Sequence, residues 1–287
     1  MAIYNPGETL NLIKKHDFTM QKRYGQNFLV DEHILDKIID AAELTKEDFV
    51  IEIGPGLGTM TQKLSEKAGQ VAAVEIDKEL IPILHETLGA YTNVDIIHRD
   101  ILKMDLRGYL KEHAGDRPVK VVANLPYYIT TPVIMELLEG KYPLCSITVM
   151  IQKEVAERMR EGPGSKDYGA LSLAVQYYSS PVMITEVPPS CFIPRPKVSS
   201  TVIRLDVYKK PPLSVKDEAL MFRLIRASFN QRRKTLRNSL ASAAGLCIEK
   251  EQVDRALRKM GLSETIRGEA LTLEEFARLS DILSERS

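Results

Sequence analysis

The sequence has little cysteine, no net charge and no long apolar run. Its three cysteines, Cys145, Cys191 and Cys247, are scattered, odd in number and outside any CxxC pair. That pattern argues against a disulfide framework and a zinc site, and the five histidines are equally dispersed, so no metal is expected. Buried, inert thiols in a reducing cytoplasm fit better. Lys+Arg and Asp+Glu are both 39, so the formal net charge is zero. Any case for a nucleic-acid partner must therefore rest on where the charges lie. No apolar run is long enough to span a membrane. Residues 1–24 lack an apolar core and carry Lys14, Lys15, Lys22 and Arg23, which does not read as a signal peptide. A cytoplasmic protein is the expectation, and nothing demands more than a monomer.

What is present is an alternating pattern. The chain has 287 residues, 44% hydrophobic and 27% charged, ordinary for a globular protein of about two domains. Short β-rich runs at 49–53, 71–76, 94–97, 119–123 and 147–151 alternate with helix-length segments. That order predicts a mostly parallel sheet with helices on both faces, an α/β class. Asp77 reads as the N-cap of a helix over 78–88, with a kink possible at Pro82. Thr131-Pro132 reads as N-cap and first-turn proline of the next helix. Runs 182–187 and 201–207 have no helix between them and suggest an antiparallel hairpin at the sheet edge. Lys209-Lys210-Pro211-Pro212 breaks the pattern, and strands disappear beyond it. Ser214–Asp217 and Thr272–Glu275 look like capping boxes. The expected domains are 1–208, holding the sheet, and 213–287, small and all-helical.

The first strand runs into Glu52-Ile53-Gly54-Pro55-Gly56-Leu57-Gly58. Glycines let a backbone turn sharply and approach a ligand closely. Glu75 ends the second strand, where a carboxylate can accept both ribose hydroxyls of an adenosine. NAD and S-adenosylmethionine both carry that ribose. A dinucleotide site wants GxGxxG, with amides facing pyrophosphate. Here the spacing is GxGxG and Pro55 removes a donor, which favours a ligand without phosphate. Asp100 follows the third strand, placed to accept an adenine amino group; the plainer reading is a turn-capping aspartate. Asp105 reads as the cap of the helix after it.

The fourth strand ends in Asn124-Leu125-Pro126-Tyr127. Methylating an exocyclic amine is difficult because its lone pair is delocalised into the ring. Two acceptors on its protons pull the nitrogen toward tetrahedral geometry. The Asn124 side-chain oxygen and the carbonyl of Leu125 or Pro126 can supply them, and Pro126 holds Leu125 extended. Tyr127 offers a face for stacking a base. The proline-rich loop Phe192-Ile193-Pro194-Arg195-Pro196 can hold Phe192 as a second stacking wall, or Phe192 is simply core. Further on, the segment 222–238 carries Arg223, Arg226, Arg232, Arg233, Lys234 and Arg237 and no acid. On one helix, Arg226, Asn230, Arg233 and Arg237 share a face, a stripe suited to phosphates.

Together these motifs resemble the ribosomal RNA adenine N6-dimethyltransferases, specifically the bacterial small-subunit branch. The resemblance runs from about Gln21 to the C-terminus. Gly25-Gln26-Asn27-Phe28-Leu29 is similar to the family's N-terminal cofactor motif, and Asn230–Leu240 resembles its small-subunit branch. Ser199 and Tyr24 stand where the family often has Asp and Leu. The resemblance implies a Rossmann-like S-adenosylmethionine-dependent domain followed by a helical domain that helps engage RNA. It implies cofactor contacts at Asn27, Leu29, Gly54, Glu75, Asp100 and Asn124, beside Gly56 of the glycine turn. It implies target-base roles for Asn124, Leu125, Pro126, Tyr127 and Phe192, and RNA contacts through Arg223, Arg226, Arg233, Lys234 and Arg237. The implied partner is 16S rRNA within the small ribosomal subunit: two adjacent adenosines of a hairpin loop near its 3′ end, each dimethylated. Three rivals remain at this stage: a 23S rRNA methylase of the erythromycin-resistance type, a non-catalytic RNA- or DNA-binding factor on the same fold, and an NAD-linked oxidoreductase.

Overall fold

A computed structural model describes residues 6–285; residues 1–5, the start of the basic N-terminal stretch, and 286–287, the end of the expected helical tail, lie outside the described residues. The chain divides into two compact units, Met1–Ala156 with Ser180–Val207, and Glu157–Ser179 with Tyr208–Ser287. One crossing lies between Val207 and Tyr208. The grouping of Glu157–Ser179 with the tail had no visible signal in the sequence.

The first unit opens with α1 (Pro6–Lys15), β1 (Phe28–Leu29) and α2 (Glu32–Ala42). Then β2 (Phe49–Ile53), α3 (Thr59–Lys67), β3 (Gln70–Glu75), α4 (Ile81–Leu88), β4 (Val94–His98), α5 (Leu106–His113), β5 (Val119–Asn124), α6 (Thr130–Glu139) and β6 (Leu144–Gln152) alternate as expected. Next come α7 (Lys153–Arg160), which runs into the second unit, and α8 (Ala170–Tyr178), which belongs to it, before the first unit resumes with β7 (Ser179–Val187), β8 (Phe192–Ile193) and β9 (Ser200–Val207). Seven strands form one sheet in the order β4-β3-β2-β5-β6-β9-β7. Strands β2 to β6 are parallel, and β9 runs antiparallel to β6. The order reverses at β2, with β3 and β4 to one side and β5 and β6 to the other. Loops leaving β2 and β5 therefore diverge and open a crevice at the strand tips.

Packing explains why α2 forms. Asp31 caps it, accepting from Ile34 N at 3.1 Å. Its Ile34, Leu35, Ile38, Ile39 and Ala42 recur at helical spacing and are all buried. They pack with Leu64 of α3 and with Val50, Val71 and Val122 of the sheet. Each such aliphatic side chain contributes roughly 1.5–3 kcal/mol by burial. Leu12, Phe18, Phe28, Leu57, Leu80 and Ile83 form a second cluster.

Several helix starts differ from expectation. Asp77 does not cap α4, which begins at Ile81. Asp77 instead closes a turn, its carbonyl accepting from Leu80 N at 3.1 Å and its carboxylate from Glu79 N at 3.1 Å. Pro82 then falls in the first helical turn, where a missing N–H costs nothing, so no kink is needed. Likewise α6 starts at Thr130, and Thr131 lies inside it.

The second unit adds α9 (Glu218–Asn230), α10 (Leu236–Ala241), α11 (Lys250–Met260) and α12 (Leu273–Ser284). Asp217, not Ser214, caps α9, accepting from Leu220 N at 2.8 Å. The Thr272–Glu275 box at the start of α12 forms both reciprocal bonds, at 2.8 and 3.2 Å. Side-chain chemistry binds 157–179 to these helices. Buried Tyr168 donates its hydroxyl to Leu271 O at 2.9 Å, and the Tyr178 ring stacks on Phe222 at 5.3 Å. The Arg232 guanidinium donates to the carbonyls of Ser165 and Lys166. Among the described residues no helix is long and apolar enough to cross a membrane, and no group of acids, histidines and cysteines could hold a metal ion.

Candidate active site

The crevice at the strand tips is a cavity lined entirely by the first unit. Its wall includes Asn27 and Leu29, Glu52, Gly54 and Gly56, Glu75, Asp100, Asn124 to Tyr127, and Phe192. Every cofactor and target-base candidate from the sequence is thus brought to one place.

The glycine turn is shaped by backbone need. Gly54 and Gly56 have φ of 71° and 61°, a left-handed conformation that side chains disfavour. At Gly56 a Cβ would also come within 3.1 Å of the Phe28 ring. Gly56 N donates to Glu75 Oε2 at 3.2 Å, and Ile76 and Asp77 donate their amides to Oε1, each at 2.9 Å. Burial still wins over these three amides, and Glu75 is pushed up to about 7. A carboxylate offers about four lone-pair positions, so acceptor capacity is left for a ligand hydroxyl.

At Asp100 the plainer reading is realised, without removing the other. Oδ1 accepts from Leu102 N at 3.1 Å and caps a short 3-10 turn, while the side chain lines the cavity. Asp105 caps α5 as expected, accepting from Gly108 N at 3.0 Å.

Asn124 is aimed by the N-terminal segment. Its Nδ2 donates to Asn27 O at 3.0 Å, which turns Oδ1 the other way as an acceptor. Asn27 is itself held through Nδ2 to Gly25 O at 3.0 Å. The Pro126 carbonyl is already engaged, by Ile129 N and by the Thr130 hydroxyl, both at 3.2 Å. Tyr127 is half-buried, its hydroxyl 3.1 Å from Ser200 Oγ, which fixes the ring plane. Phe192 is only 2% exposed and sits in the core cluster, paired with Leu29 in the two-stranded β1–β8 ribbon. It is at once core and cavity wall.

These contacts are made by a chain with clear relatives. A profile of the ribosomal RNA adenine dimethylases matches residues 17–285. The chain belongs to the ribosomal RNA adenine dimethylase family. Ribosomal RNA small subunit methyltransferase A of Lachnoclostridium phytofermentans is 58% identical, covering 98% of both chains. The protein of the same name from Alkaliphilus oremlandii is 53% identical over 99% of both. A dimethyladenosine transferase from Plasmodium falciparum superposes with a TM-score of 0.73 at 26% identity, covering 88% of this chain and 95% of that one. The 23S rRNA methyltransferase ErmE gives 0.65 at 25% identity, covering 90% and 99%.

The expected basic stripe of this family member is not one helix. α9 ends at Asn230, a turn follows, and Thr235 caps α10 by accepting from Asn238 N. The single helical face proposed for Arg226, Asn230, Arg233 and Arg237 is therefore broken. Arg237 Nε pairs with Asp254 Oδ2 at 2.8 Å, and Asp254 is buried, so Arg237 has a structural role. Arg223, Arg226, Arg233 and Lys234 are exposed.

Two polar residues of the cavity region, Gln26 and Glu52, carry contacts that no sequence motif assigned to them. Gln26 receives Gln21 N at 2.8 Å and donates to Asp77 Oδ2 at 2.7 Å, tying the N-terminal segment to the loop after β3. Asp77 lies 51 residues away along the chain, so no local pattern marks the tie. Glu52 is the second, fully buried on β2. Its signal was present: one acid inside the otherwise apolar run Phe49–Ile53.

Proposed function

We propose that this protein uses S-adenosylmethionine to dimethylate N6 of two adjacent adenosines in the hairpin loop near the 3′ end of 16S rRNA, acting on the small ribosomal subunit in the cytoplasm. The observation that carries the chemistry is the aim of Asn124. Its amide nitrogen is committed to Asn27 O at 3.0 Å, so its oxygen is the group left for the cavity. With the Pro126 carbonyl doubly occupied, the Leu125 carbonyl is the second acceptor; no donor reaches it among the described residues.

The charge of the cavity wall suits this donor. Glu52, Glu75 and Asp100 line it, against a single cationic side chain, Arg99. A cation in the cavity favours the ionised form of these carboxyl groups, whereas a pyrophosphate would oppose it, so the wall suits a cationic ligand better. That argues against NAD. Gly54 and Gly56 give close backbone approach, Glu75 receives the ribose hydroxyls, and Asp100 the adenine amine. Asn27 and Leu29 wall the amino-acid end. When bound, S-adenosylmethionine supplies an electrophilic methyl group on a sulfonium sulfur.

The residues of this chain do the rest. Asn124 Oδ1 and the Leu125 carbonyl each accept one N6 proton of the target adenine, which localises the nitrogen lone pair. Pro126 keeps the Leu125 carbonyl in place by limiting its backbone. Tyr127 stacks on the base with its ring held by Ser200, and Phe192 backs the opposite wall. Asn124 is neutral and acts by alignment and electrostatics rather than as a base. The proton leaves to water after transfer, when the nitrogen is cationic and acidic. Exposed Arg223, Arg226, Arg233 and Lys234 of the second unit supply contacts to RNA phosphates.

The test is methyl incorporation into undermethylated small subunits, with the product nucleoside identified. N6,N6-dimethyladenosine at two neighbouring positions of 16S rRNA is expected. Product confined to 23S rRNA, or normal subunit binding without transfer, refutes the assignment.

A further inference from the structure

An exposed tyrosine stands where the cavity opens. Tyr128 lines the cavity yet is 53% exposed, so its ring lies at the mouth. A single exposed ring needs no explanation, but this one has company. Tyr24 lines the same wall. Burial first, and then Tyr24, Asp100 and Glu75, push the Tyr128 hydroxyl above its ordinary value, so the phenol is neutral at physiological pH. The ring is seated against the N-terminal segment. Gly25 has φ of 56°, and a Cβ on it would stand 3.4 Å from Cδ1 of Tyr128 and 3.6 Å from Cε1.

Charge changes sign at this mouth. Inside stand Glu52, Glu75 and Asp100. Arg99 lines the wall from an exposed position and has no ion pair among the described residues. Exposed Arg23 lays its guanidinium 4.6 Å over the Tyr24 ring. A phosphate is thus repelled by the interior and attracted by the rim, while a neutral base can pass. Aromatic rings beside cations are the means of gripping single-stranded nucleic acid: bases stack on the rings and the backbone follows the charge.

We propose that Tyr128 and Tyr24 form a stacking site for the nucleotide next to the target adenosine, with Arg99 holding the phosphate between the two. The proposal rests on the rRNA reading above and deepens it: the site takes a dinucleotide, one base inside against Tyr127 and its neighbour outside against Tyr128. The spacing allows this. The two tyrosines are consecutive, with Cα atoms about 3.8 Å apart. The Tyr127 hydroxyl reaches Ser200 Oγ at 3.1 Å, whereas the Tyr128 ring lies against Gly25. One backbone step therefore separates an inner ring from an outer one. The neighbour is selected in turn. It must be unpaired, and a purine covers more of the outer ring than a pyrimidine does. A second loop adenosine meets both conditions.

Single-turnover methylation of undermethylated small subunits by the whole protein, over a range of subunit concentrations, tests the site. Affinity for S-adenosylhomocysteine and the melting temperature are measured alongside. Loss of one base stack weakens binding roughly 5- to 150-fold. Tyr128→Ala is expected to raise the half-saturating subunit concentration by a factor in that range, with the effect there rather than in the saturated rate, and Tyr128→Phe to restore it. Should Tyr128→Ala not fold, Tyr128→Leu keeps an apolar contact with Gly25 without a flat face and is expected to show the same rise. Subunits with uridine at one of the two adenosine positions, scored for methylation at the other, identify what the ring touches. In one of the two arrangements the uridine penalty seen with wild type should shrink several-fold in Tyr128→Ala, because ring and base act as a pair. Equal penalties in both arrangements overturn the proposal. So does a fall in donor affinity in Tyr128→Ala, which would make the ring a cover for the donor. Arg99→Gln should flatten the slope of log affinity against log salt by about 0.7; an unchanged slope refutes the phosphate contact. Wild type that transfers no methyl group to the small subunit refutes the rRNA reading, and this site with it.

Discussion

Asn124 offers the sharpest test of how this site works, because its two side-chain atoms have separate jobs. Nδ2 spends its hydrogen bond on Asn27 O at 3.0 Å, and Oδ1 faces the cavity. Asn124→Ala removes both. Loss of the structural bond costs about 1 kcal/mol of stability. Loss of the acceptor on the reacting amine removes an interaction that strengthens as charge develops, and such losses cost roughly 100- to 1000-fold in turnover. RNA affinity, set by other contacts, should barely move. Asn124→Asp separates the two jobs. It keeps an acceptor oxygen but turns a second one toward the Asn27 carbonyl, where two lone pairs repel. The side chain must rotate, and turnover should fall nearly as far as with Ala. Single-turnover methylation of small subunits, with subunit and donor affinities measured alongside, gives the split. Wild-type turnover in Asn124→Asp, or an equal loss of rate and subunit affinity in Asn124→Ala, refutes the reasoning.

The other predictions follow from contacts described above. Gly54→Ala and Gly56→Ala each force a side chain into left-handed backbone, at about 1–2 kcal/mol; Gly56→Ala also pushes the Phe28 ring away from 3.1 Å, while Gly54 has nothing nearer than Asn124 O at 4.0 Å. Gly56→Ala should therefore show the larger drop in melting temperature and donor affinity, and the reverse order would show that crowding is not what decides. The free protein should lose stability as pH rises from about 5 to 8. Glu52 is held at about 8 against 4.5 when unfolded, so its contribution is complete below the unfolded value and disappears as pH rises through the folded one. Glu75, near 7, acts in the same sense. Glu52→Gln should flatten the curve in chemical denaturation, and a curve of unchanged slope removes Glu52 as its source. Arg237→Ala should destabilise the second unit by about 1–3 kcal/mol, since the buried Asp254 carboxylate loses the guanidinium that Oδ2 is paired with. Joint replacement of Arg233 and Lys234 by Ala should leave the melting temperature alone and flatten the salt dependence of subunit binding; an unchanged salt slope takes that turn out of the RNA interface.

Much of the fold was legible because its signals are local. A buried parallel strand is an apolar run, and all five such runs became strands. The glycine turn, Glu75, Asp100 and Asn124 each sit at the end of a run, where an open α/β sheet puts its ligand site. Register and loop closure were not legible. Asp77 has the chemistry of an N-cap, yet Pro82 belongs in the first helical turn, so the helix starts later and Asp77 closes a turn. The basic segment has the spacing of one helical face, but Thr235 competes as a cap and splits it.

By itself, then, the sequence determined the strand order along the chain, the glycine turn and the tetrapeptide Asn124–Tyr127 at a strand tip. Those depend on a few neighbouring residues whose backbone preferences and periodicity act at short range. Only the tertiary structure decided which of the two proline-flanking carbonyls is left open, that Arg237 serves a buried Asp254, that Glu157–Ser179 joins the helical unit, and that Glu52 is buried in the cavity wall. Each of those depends on desolvation or on a partner distant along the chain. Burial and long-range contact exist only once the chain has folded.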